Sequence, residues 1–430
     1  MIKIIENNID KEIAKIKAKM TFNIDDVRED AVREIIRNVS KNGDRALLDY
    51  TKKYDGVSLK AENIAVSDKE INEAYDLVDK KFIGALKLAI KNIEFYHKQQ
   101  LPDQWFETKE DDIVLGLRNI VMDSVGVYVP GGRFPYSSSV LMGVIPAKIA
   151  GVKSIAIVTP PNKEGKIDPH ILVAAKESGA TAIYRVGGAQ AIAALAFGTD
   201  TIRKVDKIVG PGNIYVTLAK KLVYGMVGID KLAGPSEAVI IADGDAEPKF
   251  VAADMLIQAE HDPHAVTILI TNSRKIVDNT LAEIKLQMNK IDGINRKIIE
   301  ESLSANGAIF VVKELKKAQD MVNEIAPEHL SLMIDSPHLF LEGIRNAGAV
   351  FLGPYSPQSV GDYIAGPNHI LPTGGSARFS SPLGIYDFIK KQSIIGYTKN
   401  GLKRIEKELL ILTKVEGLTA HGEAVKIRLE

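Results

Sequence analysis

The stretch IQAEHDPHA, around His261, holds the side chains of this chain that are best suited to chemistry. The longer pattern EPKFVAADMLIQAEHDP predicts a helix with a proline near its start and an end before Pro263. Asp254, Gln258 and His261 recur at i, i+4 and i+7, so they share one face of this helix. Such a polar stripe is usually exposed to solvent, but an amide and an imidazole can also bind a metal ion. The pattern by itself leaves both interpretations open.

Other histidines with a nearby acid are further candidates, because metal sites and proton-transfer sites combine these groups. They occur in PEHLS, GDYIAGPNH and EGLTAHGEA, as the pairs Glu328 and His329, Asp362 and His369, and Glu416 and His421. The adjacent Glu328 and His329 could be a helix cap beside a packed imidazole. They could equally be an acid–base pair, in which the carboxylate activates water and the imidazole moves protons.

The composition narrows the chemistry and the partners. Lys+Arg and Asp+Glu both number 55, so no net basic field attracts nucleic acid or an anionic membrane. No apolar run approaches the ~18 residues of a membrane-spanning helix. The charged, amphipathic N-terminus lacks the apolar core of a signal peptide, and we therefore expect a cytoplasmic protein. The chain has no cysteine, which excludes a thiolate nucleophile and leaves nitrogen and oxygen ligands for any zinc ion.

The 430 residues suffice for two or three domains. The secondary structure that must position the candidate residues is predicted to change along the chain. The first part, to about residue 110, has mostly helical periodicity. Beyond it, short apolar strands alternate with helices, which predicts parallel sheets covered by helices on both faces. So many strands favour two sheets over one. The predicted strands are SVGVYVP, SIAIVTPP, AIYRV, KIVGPGN, EAVIIAD, AVTILITN, GAIFVVK, LSLMID and AVFLG.

Two further segments are predicted nearer the C-terminus. A stretch rich in Gly, Pro and Ser, from about residue 353 to 385, is predicted to be a long loop that is either functional or a linker. The last ~45 residues have a helical pattern but are too few to hold a stable core alone. We therefore expect them to dock on another part of the protein.

Glycine-rich turns follow three of the predicted strands. They are VPGGR, VGGAQ and VGPGN. Ligands of open α/β sheets bind at the carboxyl ends of strands, so three such turns favour a nucleotide site. None of them matches G-x-G-x-x-G, and the usual dinucleotide fingerprint is therefore absent.

Taken together, these stretches resemble the histidinol dehydrogenase family, in the same order and over nearly the whole chain. The resemblance rests on VGVYVPGGRFPYSSSVLMGVIPAKIAGV, RVGGAQAIAALAFGT, DKIVGPGNIYVTLAK, DKLAGPSEAVIIAD, DMLIQAEHDPHA, NEIAPEHLSLM, GPYSPQSVGDYIAGPNHILPTGGSARFSSPL and EGLTAHGEAV. It implies a zinc- and NAD-dependent enzyme that oxidises L-histidinol to L-histidinal and then to L-histidine, the last steps of histidine biosynthesis. One zinc ion is implied per subunit.

The resemblance also implies a role for each residue that matches the family's site. The implied catalytic residues are Glu328 and His329. The implied zinc ligands are Gln258, His261, Asp362 and His421. The implied substrate-binding residues are Ser236, Gln258, His261, His329, Asp362, Glu416 and His421. The implied NAD-binding residues are Tyr128, Gln190 and Asn213. Related aldehyde dehydrogenases use a cysteine in aldehyde oxidation; this chain has none, so water activated by Glu328 is expected instead.

The fold implied by the resemblance is α/β and aldehyde-dehydrogenase-like, with two incomplete Rossmann-like units. The implied organisation is an N-terminal helical arm (1–22), a discontinuous first α/β domain (23–125 and 237–375), an inserted NAD-binding α/β domain (126–236) and a small helical C-terminal dimerisation segment (380–430). A homodimer is implied, in which the C-terminal segment of one subunit completes the site of its partner.

Two other functions use the same residues. A zinc hydrolase could use the metal ligands and the Glu328–His329 pair to activate water on an amide or ester, although the glycine-rich strand ends argue against it. A non-catalytic metal-binding relative could keep the fold and the metal, although an intact Glu328–His329 pair argues against that. Reduction of NAD by L-histidinol would distinguish a histidinol dehydrogenase from both of these alternatives.

Overall fold

The structure, a computed structural model, describes residues 2–20, 26–109, 112–131 and 134–430. Part of the predicted turn VPGGR, residues 132 and 133, lies outside them. The helices are α1 Ile9–Met20, α2 Asp26–Asp55, α3 Asp68–Ala74, α4 Lys80–Lys98, α5 Ser137–Ala150, α6 Pro169–Ser178, α7 Gly188–Phe197, α8 Ile214–Val223, α9 Pro248–His261, α10 Arg274–Met288, α11 Gly293–Asn306, α12 Lys317–Ile325, α13 Pro337–Leu341, α14 Gln358–Tyr363, α15 Lys399–Val415 and α16 Thr419–Leu429. Within the described residues, none of these helices has the length and apolar character needed to cross a membrane.

The strands form three sheets. They are β1 Lys3–Ile5, β2 Trp105–Lys109, β3 Ile113–Val121, β4 Ser124–Tyr128, β5 Ser154–Val158, β6 Ala182–Tyr184, β7 Lys207–Val209, β8 Gly228–Ile229, β9 Glu237–Ala242, β10 Val266–Thr271, β11 Gly307–Val311, β12 His329–Met333, β13 Ala349–Leu352 and β14 Ile389–Tyr397. All nine strands predicted from the sequence are among them.

The first parallel sheet has six strands in the order β1-β11-β10-β9-β12-β13. Its central strands, EAVIIA and VTILIT, are buried along their whole length, which explains why they lack the alternation of a half-exposed strand. Side chains of α1 and α12 pack on one face. Side chains of α9, α10 and α11 pack on the other face, so α9 is held against the sheet.

The second parallel sheet has five strands in the order β6-β5-β4-β7-β8. Side chains of α5 and α6 cover one face, and those of α7 and α8 cover the other. Two parallel sheets, each covered on both faces, confirm the predicted α/β class.

The third sheet is antiparallel, in the order β14-β3-β2, and the sequence did not predict it. Strands β3 and β14 pair along nine residues, from Ile389 opposite Val121 to Tyr397 opposite Ile113. Their charged and glycine residues hide the alternation that marks a strand. The C-terminal segment 380–430, predicted to be helical, therefore contains a strand before its two helices. The N-terminal arm likewise contributes β1 to the six-stranded sheet.

The early helices lie in residues 23–125, a range that the resemblance groups with 237–375. Helix α2 packs on α7 and α8, and α4 packs on α5, so both cover the five-stranded sheet. The apolar faces of these helices pack into the cores on the two faces of that sheet, where Leu47 and Ile93 are fully buried. An amphipathic pattern predicts that a helix covers a core, but does not indicate which of two sheets it covers.

Candidate active site

Helix α9 forms as predicted, but its polar face is turned to the interior. Asp254 is buried, and its carboxylate accepts a hydrogen bond from the Ser331 hydroxyl on β12 at 3.1 Å. Gln258 is fully buried, and neither its amide oxygen nor its amide nitrogen has a partner among the described residues. His261, at the end of the helix, is exposed. A buried amide without a partner is costly, and this one fits a position that a ligand completes.

The Glu328–His329 pair lies where β12 begins, and both side chains are buried. His329 Nδ1 is 3.7 Å from Glu328 Oε2, and His329 Nε2 is 3.8 Å from Asp362 Oδ1. The imidazole is therefore placed between two carboxylates. The pairing of β12 with β9 brings the Glu237 backbone N–H to Glu328 Oε2, at 3.2 Å. Both side chains therefore belong to a buried polar cluster at the start of β12, and the imidazole is packed as well as flanked by acids.

The three groups shift one another's proton affinity. Burial raises the pKa of Glu328, although the imidazole of His329 opposes it. Burial alone would lower the pKa of His329, but the carboxylates of Glu328 and Asp362 outweigh it and raise that pKa. Burial would raise the pKa of Asp362, but His329 outweighs it and lowers that pKa. An imidazole whose protonated form is stabilised, beside a carboxyl group that holds its proton more tightly, is suited to proton transfer.

A cavity of about 910 Å³ opens beside this cluster. His329, Asp362 and His369 line it, together with Phe351, whose ring lies 5.9 Å from the imidazole of His329. His369 Nδ1 donates to the backbone oxygen of Asp362 at 2.8 Å, which ties His369 to α14, the helix that carries this acid. The volume falls in the range of sites that enclose a small molecule.

The structure gathers most of the predicted site residues at the amino ends of β9 and β12. Electrostatic interactions join His261 to Glu328 and Asp362, and the Ser236 hydroxyl hydrogen-bonds to Glu328. Glu416 and His421 are different, since they are exposed and lie where α15 passes into α16. In the part of the chain that the structure describes, no three His, Asp or Glu side chains are grouped closely enough to hold a metal ion.

Glu237 is a site residue that the sequence analysis missed. It is fully buried beside Glu328, and its Oε1 accepts from the Gly374 backbone N–H at 2.7 Å. Burial, followed by the charge of Glu328, raises its pKa well above the usual value. An acid at the head of the otherwise apolar strand EAVIIAD was the available signal.

The residues predicted to bind NAD lie at the carboxyl ends of the five-stranded sheet. Tyr128 ends β4, and its buried hydroxyl accepts from the Gly188 backbone N–H at the start of α7, at 3.1 Å. Burial raises the pKa of Tyr128 to about 12, which keeps the phenol neutral. Gln190 is buried in the first turn of α7, and its amide nitrogen has no partner among the described residues. This orphaned donor fits a ligand at the sheet edge.

Asn213 has a structural role at the same edge. Its side-chain oxygen accepts from the backbone N–H groups of Tyr215 and Val216 and so caps α8. Gly210 precedes it with φ +110°, and a Cβ there would lie 2.2 Å from the Tyr128 backbone oxygen. Only glycine lets these two strand ends approach so closely.

These features define an α/β protein with a buried cluster of carboxylates and an imidazole on one parallel sheet and glycine-rich turns at the carboxyl edge of the other. A profile of the family described as Histidinol dehydrogenase matches residues 18–429. The histidinol dehydrogenase of Clostridium acetobutylicum is 51% identical over 398 residues, which cover 92% of this chain and 91% of that one. That of Bacillus cereus is 49% identical over 431 residues, covering 100% and 99%. The crystal structure of histidinol dehydrogenase from Elizabethkingia anophelis matches with a TM-score of 0.94 at 38% identity, covering 100% of this chain and 98% of that chain. The chain belongs to the histidinol dehydrogenase family, and is thus an oxidoreductase with a small-molecule substrate.

Proposed function

We propose that this protein is a zinc- and NAD-dependent L-histidinol dehydrogenase that oxidises L-histidinol to L-histidinal and then to L-histidine. The observation that carries the proposal is the buried Glu328–His329 pair beside Asp362, in a chain that matches the family throughout. The reaction places the enzyme at the end of histidine biosynthesis, and we expect it to work in the cytoplasm. NAD would accept one hydride in each of the two oxidations.

In the first oxidation, His329 is the base that takes the hydroxyl proton. Its two neighbouring carboxylates stabilise the imidazolium that results, because they raise the pKa of His329. The ring of Phe351 stacks against the imidazole of this base, with 5.9 Å between the ring centroids. The orientation of the imidazole between two carboxylates is what makes the transfer directional.

In the second oxidation, the aldehyde carbon needs an oxygen from water, and Glu328 is the group that activates it. Burial raises the pKa of Glu328, so its carboxylate is a stronger base than an exposed one. The Glu237 backbone N–H and the Ser236 hydroxyl hold that carboxylate in place. Because the chain has no cysteine, a thiol route is closed.

The residues on this edge fit zinc, since the fully buried Gln258 amide has no partner among the described residues and both Asp362 and His261 interact with the same cluster. Gln258, His261, Asp362 and His421 would hold the ion, which would orient the substrate through its imidazole and amine. Ser236 and Glu416, with the zinc ligands and His329, would complete the substrate site. Tyr128, Gln190 and Asn213 would hold the dinucleotide at the other sheet.

The position of the last helices supports a homodimer. Glu416 and His421 are exposed at the α15–α16 junction, so they are free to enter a second subunit. We propose that the C-terminal segment of one subunit completes the site of its partner, an economical way to build a two-fold dimer.

The test of the proposed activity is the formation of NADH from L-histidinol and NAD, with and without a chelator. We expect two NADH per histidinol, loss of activity on chelation and recovery with zinc. Metal-free enzyme that stays fully active would contradict the zinc assignment. Hydrolysis of an amide or ester without NADH formation would favour a zinc hydrolase, and binding of zinc without either reaction would favour a non-catalytic relative.

The test of the shared site mixes two inactive variants. Glu328→Gln and His421→Asn are unfolded and refolded together in equal amounts, which gives about half mixed dimers. If the tail acts in the partner, one site of each mixed dimer carries both changes and the other carries neither. Activity should return to about a quarter of wild type. If each tail serves its own subunit, every site keeps one lesion and no activity returns.

A further inference from the structure

Asp55, the last residue of α2, is an acid that none of the proposed chemistry uses. Its side chain is half-buried, and its Oδ2 atom is buried without a partner among the described residues. Burial raises the pKa of this carboxyl group to about 6. An acid at the C-terminal end of a helix also faces the negative end of the helix dipole. The position is therefore unfavourable unless a hydrogen-bond donor reaches the carboxylate.

The path of α2 shows where Asp55 lies. At Asp44, the Thr201 hydroxyl donates to the carboxylate at 2.6 Å, just beyond the last residue of α7. Asp55 lies about 16 Å further along the helix axis. Helix α2 packs along α7, and the ten residues of α7 span about 15 Å. We therefore place Asp55 near the first residue of α7, Gly188.

Two observations agree with this position. The charge of Asp55 raises the pKa of Tyr128, whose hydroxyl accepts from the Gly188 N–H. Two residues after Asp55, Val57 approaches the loop that follows β5, since a Cβ on Gly165 would lie 3.3 Å from the Val57 side chain. Asp55 therefore faces the carboxyl edge of the five-stranded sheet, the edge assigned to the dinucleotide.

The acid–base site approaches this sheet from its other face. His369 Nε2 lies 3.5 Å from the Ser139 hydroxyl on α5, and the Asn368 amide donates to the Met142 backbone oxygen at 2.7 Å. Helix α5 covers the face opposite to α7. The nicotinamide must reach the acid–base site, so the adenosine end is the part of the dinucleotide left for the side of α2 and α7.

We propose that Asp55 accepts hydrogen bonds from the hydroxyl groups of the adenosine ribose and thereby selects NAD over NADP. The inference rests on the proposed function, because it assumes that a dinucleotide binds at this edge. A carboxylate is a strong acceptor for a vicinal diol, and an acid serves this purpose in dinucleotide-binding α/β folds. A 2′-phosphate would remove one donor and place negative charge against the carboxylate, which is how an acid discriminates against NADP.

The test measures binding, not turnover. Dissociation constants of NAD and NADP are determined by calorimetry on the full-length, zinc-loaded protein without histidinol, for wild type and for Asp55→Asn. We expect NAD to bind about tenfold to a hundredfold more weakly to the variant, while NADP binds no worse or more tightly. The NAD-to-NADP preference should therefore fall by at least about tenfold.

Asp44→Asn is the matched control. Asp44 is on the same helix, is more deeply buried and also has one buried oxygen without a partner, but it lies at the far end of α7. We expect this change to leave the NAD-to-NADP preference as in wild type.

Three outcomes overturn the inference. The first is an unchanged dissociation constant for NAD in Asp55→Asn. The second is an equal weakening of NAD and NADP with a lower unfolding temperature, which would show a packing role. The third is a wild-type protein that binds neither dinucleotide, and only this one would also refute the proposed function.

Discussion

Replacement of Lys220 by methionine should be strongly destabilising, because it would leave a carboxylate buried without its cation. Lys220 on α8 forms an ion pair with Asp230, and their side chains are 2% and 0% exposed. Lys220 Nζ also donates to the Gly210 backbone oxygen at 2.9 Å, and Asp230 accepts from the Gly210 N–H at 2.8 Å. The pair thus holds both backbone groups of the glycine that begins the VGPGN turn.

The size of the expected loss in unfolding free energy follows from the burial of the ion pair. Methionine keeps most of the lysine stem but not its charge, so Asp230 would retain only backbone donors. Loss of one partner from a buried ion pair costs about 3–5 kcal/mol of unfolding free energy. Lys221 is the matched control, since its ion pair with Glu29, at 3.1 Å, has side chains that are 39% and 17% exposed. We expect Lys221→Met to cost at most about 1 kcal/mol.

The assay is urea unfolding of both variants and wild type at one protein concentration, because the stability of the proposed dimer would depend on concentration. The double variant Lys220→Met/Asp230→Asn should recover part of the loss, since the uncompensated charge is removed while an amide oxygen can still accept from Gly210. A cost for Lys220→Met no larger than that for Lys221→Met would refute this reasoning.

Two further predictions concern the acid–base site. Glu328→Gln should impair oxidation of L-histidinal far more than that of L-histidinol, whereas His329→Asn should impair both oxidations. Steady-state assays with each substrate measure these losses. Equal losses in the two oxidations for Glu328→Gln would contradict the assignment. In protein treated with a chelator to remove metal, Asp254→Asn should raise the unfolding free energy by up to about 3 kcal/mol near pH 7. The reason is that burial raises the pKa of Asp254 to about 6. The folded state binds its proton more tightly than the unfolded state, so the gain should shrink as the pH falls through 6 and disappear below about pH 4 in urea titrations.

The parallel sheets could be predicted because their strands are buried on both faces and read as short apolar runs. EAVIIAD and AVTILITN are examples, and each lies at the centre of the six-stranded sheet. The antiparallel sheet could not be predicted in this way. Its longest strands, β3 and β14, are far apart in sequence and carry Arg118, Lys390 and Lys391. Their pairing depends on each other, and a local pattern contains no information about a distant partner.

The chemistry of the site was predicted in part. The i, i+4, i+7 spacing placed Asp254, Gln258 and His261 on one helical face, and the structure confirms this face. The spacing could not show that Asp254 and Gln258 are buried, because burial depends on β12 packing against α9 through Ser331. The roles of Ser236 and Tyr128 came from the family resemblance alone, since a serine before a strand or a tyrosine at its end has no local signature of function.

The acid–base cluster and the residues predicted to bind NAD lie at opposite strand ends of two different sheets, and this explains why no single motif identifies the site. The acid–base cluster lies at the amino ends of β9 and β12, whereas Tyr128 lies at the carboxyl end of β4. The chain after His369 crosses between them, and the buried Lys231 fixes it by donating to the backbone oxygens of Ile370 and Ser381, both at 2.9 Å. In the proposed reaction, hydride transfer would need the predicted cofactor edge of one sheet to lie at a fixed distance from the predicted substrate edge of the other. The Gly-, Pro- and Ser-rich stretch therefore acts as a packed connection between the sheets, and its function depends on that fixed position.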